Sequence, residues 1–126
     1  YMRLIKFRAW DKVNKNMLND VTTGCINIFD YSKTGKERSA KSDDCEFMQF
    51  TNLYDKNDNE IYEGDIVKTD KDNVLREVAW YNLGAGWRVG TDDKNTYFNG
   101  LGVYSNDFEV VGNVYENADL IKDKID

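Results

Sequence analysis

The sequence of 126 residues has the length of one ordinary domain, and 40% of it is hydrophobic, 32% charged and 13% aromatic. Disordered chains are poor in aromatic residues, so this composition predicts a folded protein. The net charge of −6 argues against non-specific binding to nucleic acid, whose affinity comes mainly from neutralised phosphates. Neither a secretory signal nor a stretch approaching the ~18 apolar residues of a membrane-spanning helix is present, so we expect a cytoplasmic protein without membrane contact.

The first part of the chain predicts strands joined by polar connections. We interpret Tyr1, which precedes a methionine, as the remnant of an expression tag. Ile5, Phe7 and Ala9 alternate with basic residues, which is the period-two pattern of a strand with one buried face. After this strand, the first part of the chain is predicted to contain a turn-rich connection at residues 11–20, a strand at 25–31, a mobile loop at 32–44 and a strand at 46–51.

The second part predicts short strands separated by turns, followed by a helix. Residues 55–59 are rich in Asp and Asn, whose short side chains close turns on their own backbone. Strands are predicted at residues 65–69, 75–81, 87–89, 97–98 and 108–115. A short helix is predicted over residues 117–126, because Asn117 is a good N-cap and Asp119 lies in the first turn, where the helix dipole favours an acidic residue.

These elements predict a mostly β fold in a single domain over residues 1–126. Several short strands with frequent turn signals are typical of small barrels, so residues 53–116 are expected to form an SH3-like or partly open β-barrel. Residues 2–52 are expected to supply additional N-terminal strands.

No group of residues forms a recognisable catalytic or metal-binding motif. The sequence has no histidine, which removes the commonest general base and metal ligand. Cys25 and Cys45 are too far apart for a CxxC site and are interpreted as free thiols. The acidic clusters at residues 43–46 and 92–93 lie in polar stretches where the burial needed for acid–base chemistry is not expected. A carboxylate-dependent hydrolase is therefore only a third functional hypothesis, after the two non-catalytic ones given below. We predict no enzyme activity and no cofactor.

A partial calcium-loop pattern starts at Asp55. Asp55, Asn57 and Asn59 match the first three ligand positions of an EF-hand loop. Glu60 stands where the loop needs glycine, and Ile66 stands where it needs a bidentate glutamate. The pattern therefore predicts a turn and no calcium site.

Aromatic residues concentrate in the second half of the chain, at Trp80, Tyr81, Trp87, Tyr97, Phe98 and Tyr104. Neighbours in a strand face opposite sides, so Trp80 and Tyr81 cannot both point into the core. We expect Trp80 to share the core face with Val78, and Tyr81 to lie outside. The candidate partner-binding surface comprises Tyr81, Trp87, Tyr97, Arg3, Lys6 and Arg8.

Charge is distributed unevenly along the chain. Residues 1–41 contain nine Lys or Arg and four Asp or Glu, whereas residues 42–126 contain eight and nineteen. The two segments are expected to attract each other within a chain or between chains, which predicts a homo-oligomer.

Several stretches of the sequence carry a family resemblance. They are residues 5–11 (IKFRAWD), 49–57 (QFTNLYDKN), 61–67 (IYEGDIV) and 110–117 (VVGNVYEN). Together they resemble the YopX family of small bacteriophage and prophage proteins. Asn52, Asp58, Asn59 and Ala118 depart from the usual pattern. The resemblance implies a phage- or prophage-encoded protein in the cytoplasm of a bacterial host, and it carries no activity or catalytic residue to transfer.

Two functions are compatible with these features. The first is a non-catalytic interaction module that assembles with itself or with an unidentified host or phage protein. The alternative is a nucleic-acid-binding accessory protein that uses the basic N-terminal segment and the barrel aromatics. Binding measurements at low and higher salt distinguish the two functions, because affinity for nucleic acid falls steeply with ionic strength.

Overall fold

The computed structural model describes residues 4–22, 24, 26–32, 39–70, 73–81, 86–90 and 107–120. The chain forms two compact units, Tyr1–Phe50 (unit 1) and Thr51–Asp126 (unit 2). The described residues contain ten strands, a 3₁₀ turn and a helical segment at residues 118–120. The prediction of a mostly β chain is confirmed, whereas the SH3-like or partly open barrel stays a prediction.

Unit 1 is built on antiparallel strands. Its elements are β1 (Phe7–Asp11), β2 (Asn16–Val21), β3 (Asn27–Phe29), β4 (Ser39–Lys41), a 3₁₀ turn (Ser42–Asp44) and the first six residues of β5 (Cys45–Tyr54). Strand β1 lies between β2 and β5, while β3 pairs with β4. The core of the unit consists of Ala9, Leu18, Val21, Ile28 and Cys45.

Strand β2 corrects the prediction of a turn-rich connection over residues 11–20. Leu18 and Val21 are both buried although they are three positions apart, which a regular strand does not allow. The register explains this, because Ala9 pairs with Leu18 but Phe7 pairs with Val21. The extra residue on β2 forms a bulge, with Asp20 at a φ of 54°, and returns Val21 to the core side. The bulge conceals the period-two pattern.

Strand β4 corrects the second half of the predicted loop at residues 32–44. Ala40 of β4 pairs with Ile28 and packs against the core of unit 1, and the 3₁₀ turn follows directly. A small alanine between polar neighbours gave no apolar pattern to detect. Residues 33–38 of that loop lie outside the described residues, so its mobility stays a prediction.

Unit 2 contains the larger sheet. Its elements are the last four residues of β5, then β6 (Glu60–Tyr62), β7 (Asp65–Thr69), β8 (Arg76–Tyr81), β9 (Gly86–Gly90) and β10 (Phe108–Asn113). Strand β6 neighbours β5, and the remaining four strands form an antiparallel sheet in the order β10-β7-β8-β9. The core consists of Ile61, Val67, Val78, Val89 and Phe108.

Four of the strands predicted in unit 2 are confirmed. The strands predicted at residues 65–69, 75–81, 87–89 and 108–115 correspond to β7, β8, β9 and β10 within two residues at each end. Strand β6 was missed, because it is only three residues long and lies directly beside the 55–59 turn. The strand predicted at residues 97–98 and the helix beyond residue 120 lie outside the described residues.

Candidate functional site: the tryptophan hairpin

Buried Asp and Asn side chains close turns in both units. Asp11, Asp30, Asp55, Asp65 and Asn113 are each at most 7% exposed. Each of them accepts a hydrogen bond from a backbone N–H within three residues. All but Asp30 belong to the sequence stretches at residues 5–11, 49–57, 61–67 and 110–117. The polar residues that characterise this sequence therefore stabilise turns.

Asp55 has the most extensive set of these bonds. Its carboxylate accepts backbone N–H groups from Asn57 at 2.8 Å, Asn59 at 2.9 Å and Val110 at 2.9 Å. The next residue donates its own N–H to the Phe108 carbonyl at 2.9 Å. Burial alone would raise the pKa of Asp55, but the hydrogen bonds from Val110, Asn59 and Asn57 outweigh it and lower the pKa. The predicted turn is confirmed, and it covers hydrogen-bonding groups along β10.

Two basic residues of the predicted surface, Lys6 and Arg8, lie in unit 1 and are half-buried. The Lys6 ammonium lies 5.7 Å from the centre of the Phe50 ring, a distance at which a cation and an aromatic face attract each other. Arg8 lies in β1, opposite Met48 of β5. Arg3 lies outside the described residues. Half-burial leaves Lys6 and Arg8 less available to a nucleic-acid backbone than the sequence suggested.

The β8–β9 hairpin holds two tryptophans in contact, one exposed and one half-buried, which we call the tryptophan pair. Trp80 of β8 and Trp87 of β9 are opposite each other in the register. Their ring centres are 5.1 Å apart and their planes are inclined by 77°, an edge-to-face contact. Trp87 also packs against the core of unit 2. Trp80, in contrast, is 47% exposed.

The prediction that Trp80 belongs to the core is wrong. Alternation did assign its face correctly, since Val78 on the same face is fully buried. Trp80 is the last residue but one of β8, so it lies closer to the hairpin end than Val78 and the buried Val89 do. The core ends before the strand does. The glycine-containing connection that follows Tyr81 was the available signal that the hairpin end was near.

The other two aromatics of the predicted surface are Tyr81 and Tyr97. Tyr81 ends β8 opposite Gly86, but its side chain lies outside the described part of the chain, as does all of Tyr97. Trp80 is therefore an exposed aromatic residue of the hairpin, and the exposure of Tyr81 and Tyr97 stays a prediction.

Comparison with known proteins decides the family. The model of the YopX protein family matches residues 6–122. The chain belongs to the YopX family. No curated protein matches the sequence. A solved structure, the crystal structure of protein EF1440 from Enterococcus faecalis, is similar with 27% identity and a TM-score of 0.68, covering 95% of this chain and 99% of that chain.

The acidic residues at 43–46 of this YopX chain and Cys45 lie within the described residues. Asp43 and Glu46 are exposed and Asp44 is half-buried, while residues 92–93 lie outside the described residues. Within the described ranges, no three metal-binding side chains come together. Cys45 is a free, buried thiol whose pKa is raised by burial and then by the nearby Asp11 carboxylate. In the same ranges, no helix is long and apolar enough to cross a bilayer.

Glu77 is a half-buried carboxyl group of this YopX chain. It lies in β8 opposite Ile66 on one side and Gly90 on the other. Burial raises its pKa, and the negative charge of Glu63 raises it further. A group whose pKa is higher in the folded state than in the unfolded state makes the protein less stable as the pH rises through that interval.

Replacing Glu77 by glutamine is therefore expected to stabilise the protein at neutral pH, because the desolvated charge is removed. The gain should shrink as the pH falls below the folded-state pKa, where Glu77 is already neutral. Urea unfolding of both proteins across an acid-to-neutral pH series measures this, with exposed Glu46→Gln as the control. A gain that is independent of pH would contradict the assignment.

Proposed function

We propose that this YopX protein is a phage- or prophage-encoded protein of the bacterial cytoplasm that acts as a non-catalytic interaction module. It binds a second copy of itself, or a host or phage protein, through the tryptophan pair. The observation that carries this proposal is the 47% exposure of Trp80 beside a second indole that anchors it to the core.

The chemistry of tryptophan supports an interaction surface. Tryptophan is enriched among the few residues that dominate binding energy at protein interfaces. A large aromatic side chain already held in place by a neighbour loses little freedom on binding, so more of its contact energy becomes affinity. The buried carboxylates, in turn, bind backbone N–H groups of turns, which supports a non-catalytic role.

Replacing Trp80 by alanine is expected to abolish partner binding while lowering the free energy of unfolding by only about 1 kcal/mol, since a half-exposed ring contributes less than a buried one. Tyr54→Ala is the matched control, because Tyr54 is an aromatic residue of unit 2 with a similar exposure of 44%. Self-association is measured by light scattering at low and high salt. Capture of other proteins is measured by pull-down from a lysogenic host with mass spectrometry.

The outcomes separate clearly. Loss of assembly or capture in Trp80→Ala, with both retained in Tyr54→Ala, supports the module. Retention of both in Trp80→Ala shows that the tryptophan pair is not the interface.

The exposed indole also favours a second candidate, binding of single-stranded nucleic acid, because bases stack on such rings. A mobility-shift assay with a single-stranded oligonucleotide tests it. A complex that forms at low salt and weakens steeply with added salt supports this candidate. The absence of a complex at low salt removes it.

A further inference from the structure

The tryptophan pair leaves one aromatic face of Trp80 open. Its two rings are nearly perpendicular, at 77°, so Trp87 covers at most one face of the Trp80 ring. With 47% of Trp80 exposed, an uncovered face meets solvent. The faces of an indole carry negative electrostatic potential and attract cations.

The charge of unit 2 favours the same class of ligand. Residues 51–126 contain eight Lys or Arg and sixteen Asp or Glu, a balance of −8, whereas residues 1–50 contain nine and seven, a balance of +2. A strongly acidic unit attracts basic segments and repels acidic ones, including nucleic acid.

The cations of β8 and β9 do not compete at the exposed ring. Arg88 is opposite Ala79 in the register, so it points to the other face of the sheet from Trp80. Arg76 shares the face of Trp80 but is only 7% exposed, and it lies four residues away, about 13 Å along the strand. Neither side chain occupies the solvent side of the indole.

We propose that the exposed face of Trp80 binds an arginine or lysine side chain in a basic segment of the partner protein. The cation lies over the indole, and the apolar stem of the side chain packs along the ring edge. The acidic charge of unit 2 draws the segment in, and the indole fixes its position. This inference rests on the proposed interaction module and names the chemistry of its partner.

The test uses the full chain and three synthetic peptides, in which glycine alternates with arginine, glutamine or glutamate. Binding is followed through the indole N–H signals of the three tryptophans in nitrogen–proton NMR spectra, with the Trp80 signal assigned by its loss in Trp80→Leu. We expect the arginine peptide to shift the Trp80 signal saturably, and the glutamine and glutamate peptides to leave it unchanged.

Variants at Trp80 isolate the aromatic face from simple charge attraction. Trp80→Leu keeps an apolar side chain but removes the ring, so affinity for the arginine peptide should fall roughly 2- to 30-fold. Trp80→Phe keeps a weaker aromatic face and should bind with intermediate affinity. Unchanged signals of the Trp10 indole and of the backbone amides of Ile61 and Val67, which lie in the core of unit 2, confirm that the variants fold. The Trp87 signal is not used for this purpose, because it shifts whenever the neighbouring Trp80 ring is replaced.

Three results would overturn the inference: equal affinity of Trp80→Leu and the parent protein, equal binding of the glutamine peptide, or no binding of the arginine peptide. If the pull-down and light-scattering assays still depend on Trp80 in those cases, the interaction module stands and its partner is not cationic. If those assays are also insensitive to Trp80, both proposals fail. Binding of an oligonucleotide at Trp80 in place of the arginine peptide also overturns it.

Discussion

Replacing Asp55 by alanine is expected to lower the free energy of unfolding by about 3–5 kcal/mol, because several hydrogen bonds to one charged group are lost at once. Asp55 is 1% exposed, and its carboxylate accepts hydrogen bonds from the backbone N–H groups of Asn57, Asn59 and Val110. The substitution leaves all three N–H groups without this acceptor, and Val110 is itself half-buried. Val110 is fifty-five residues away in the sequence, so the loss affects both the turn and β10.

Urea unfolding of Asp55→Ala, Asp55→Asn and Asp58→Asn measures this effect. Asp58 belongs to the same turn, is exposed and has a φ of 66°, a conformation that asparagine tolerates. Its replacement should change stability by less than about 0.5 kcal/mol. Asp55→Asn keeps the shape of the side chain without its charge and should fall between the other two. Equal stability of Asp55→Ala and Asp58→Asn would show that the turn does not depend on the carboxylate.

The pH dependence has a defined sign. Because the pKa of Asp55 is lower in the folded state than in the unfolded state, its stabilisation is complete above the ordinary carboxyl range. It is lost progressively as the pH falls from the unfolded-state pKa through the folded-state pKa. The stability difference between the parent protein and Asp55→Asn should therefore narrow in acid. The difference for Glu77→Gln also narrows in acid, but the sign is opposite: acidification removes a stabilising charge at Asp55 and a destabilising charge at Glu77.

Loss of Asp55 should also change how the protein associates. The Val110 N–H and the Phe108 carbonyl bind the turn through Asp55 and Lys56, and without the turn both become available to another strand. Exposed strand edges promote pairing between chains. We therefore expect Asp55→Ala to aggregate through backbone pairing, in contrast to any assembly that depends on Trp80.

Local chemistry explains which elements the sequence predicted. Strand β7 was assigned at both ends, because Ile66 and Val67 form a short apolar run between Gly64 and the polar residues after Thr69. The Asp55 turn was assigned because its Asp and Asn residues bond within the turn itself. Each of these two signals is local, because the residues that produce it are neighbours in the sequence.

The features that the sequence did not predict depend on distant or irregular pairing. The burial of Val21 requires a bulge whose position is set by the register between β1 and β2. The third backbone partner of Asp55 is Val110 in β10, and the sequence around residue 55 contains no feature that indicates it. Trp80 was assigned to the correct strand face, but only the packed core shows that this face reaches solvent at the hairpin end. Periodicity gives the face, whereas packing gives the extent of the core.

Replacing Gly112 by alanine is expected to destabilise the protein by about 2–3 kcal/mol, through overpacking together with the loss of a hydrogen bond. A Cβ atom at Gly112 would lie 2.5 Å from Oδ1 and 2.7 Å from Cγ of Asn117, closer than van der Waals contact allows. Asn117 cannot yield freely, because its Oδ1 accepts the backbone N–H of Asn113 at 3.1 Å. The methyl group therefore forces this side chain to move and break that bond.

A double-mutant cycle with Asn117→Ala tests this mechanism. Asn117→Ala removes Oδ1 and Cγ, so it costs the hydrogen bond but leaves room for most of a Cβ at Gly112. The double variant Gly112→Ala/Asn117→Ala should then be clearly more stable than the sum of the two single changes predicts. Gly112→Ala in the background of Asn117→Ala should cost about 1 kcal/mol or less, since the remaining Asn117 Cβ lies at 3.0 Å. Strict additivity would mean that the cost of Gly112→Ala does not arise from the contact with Asn117.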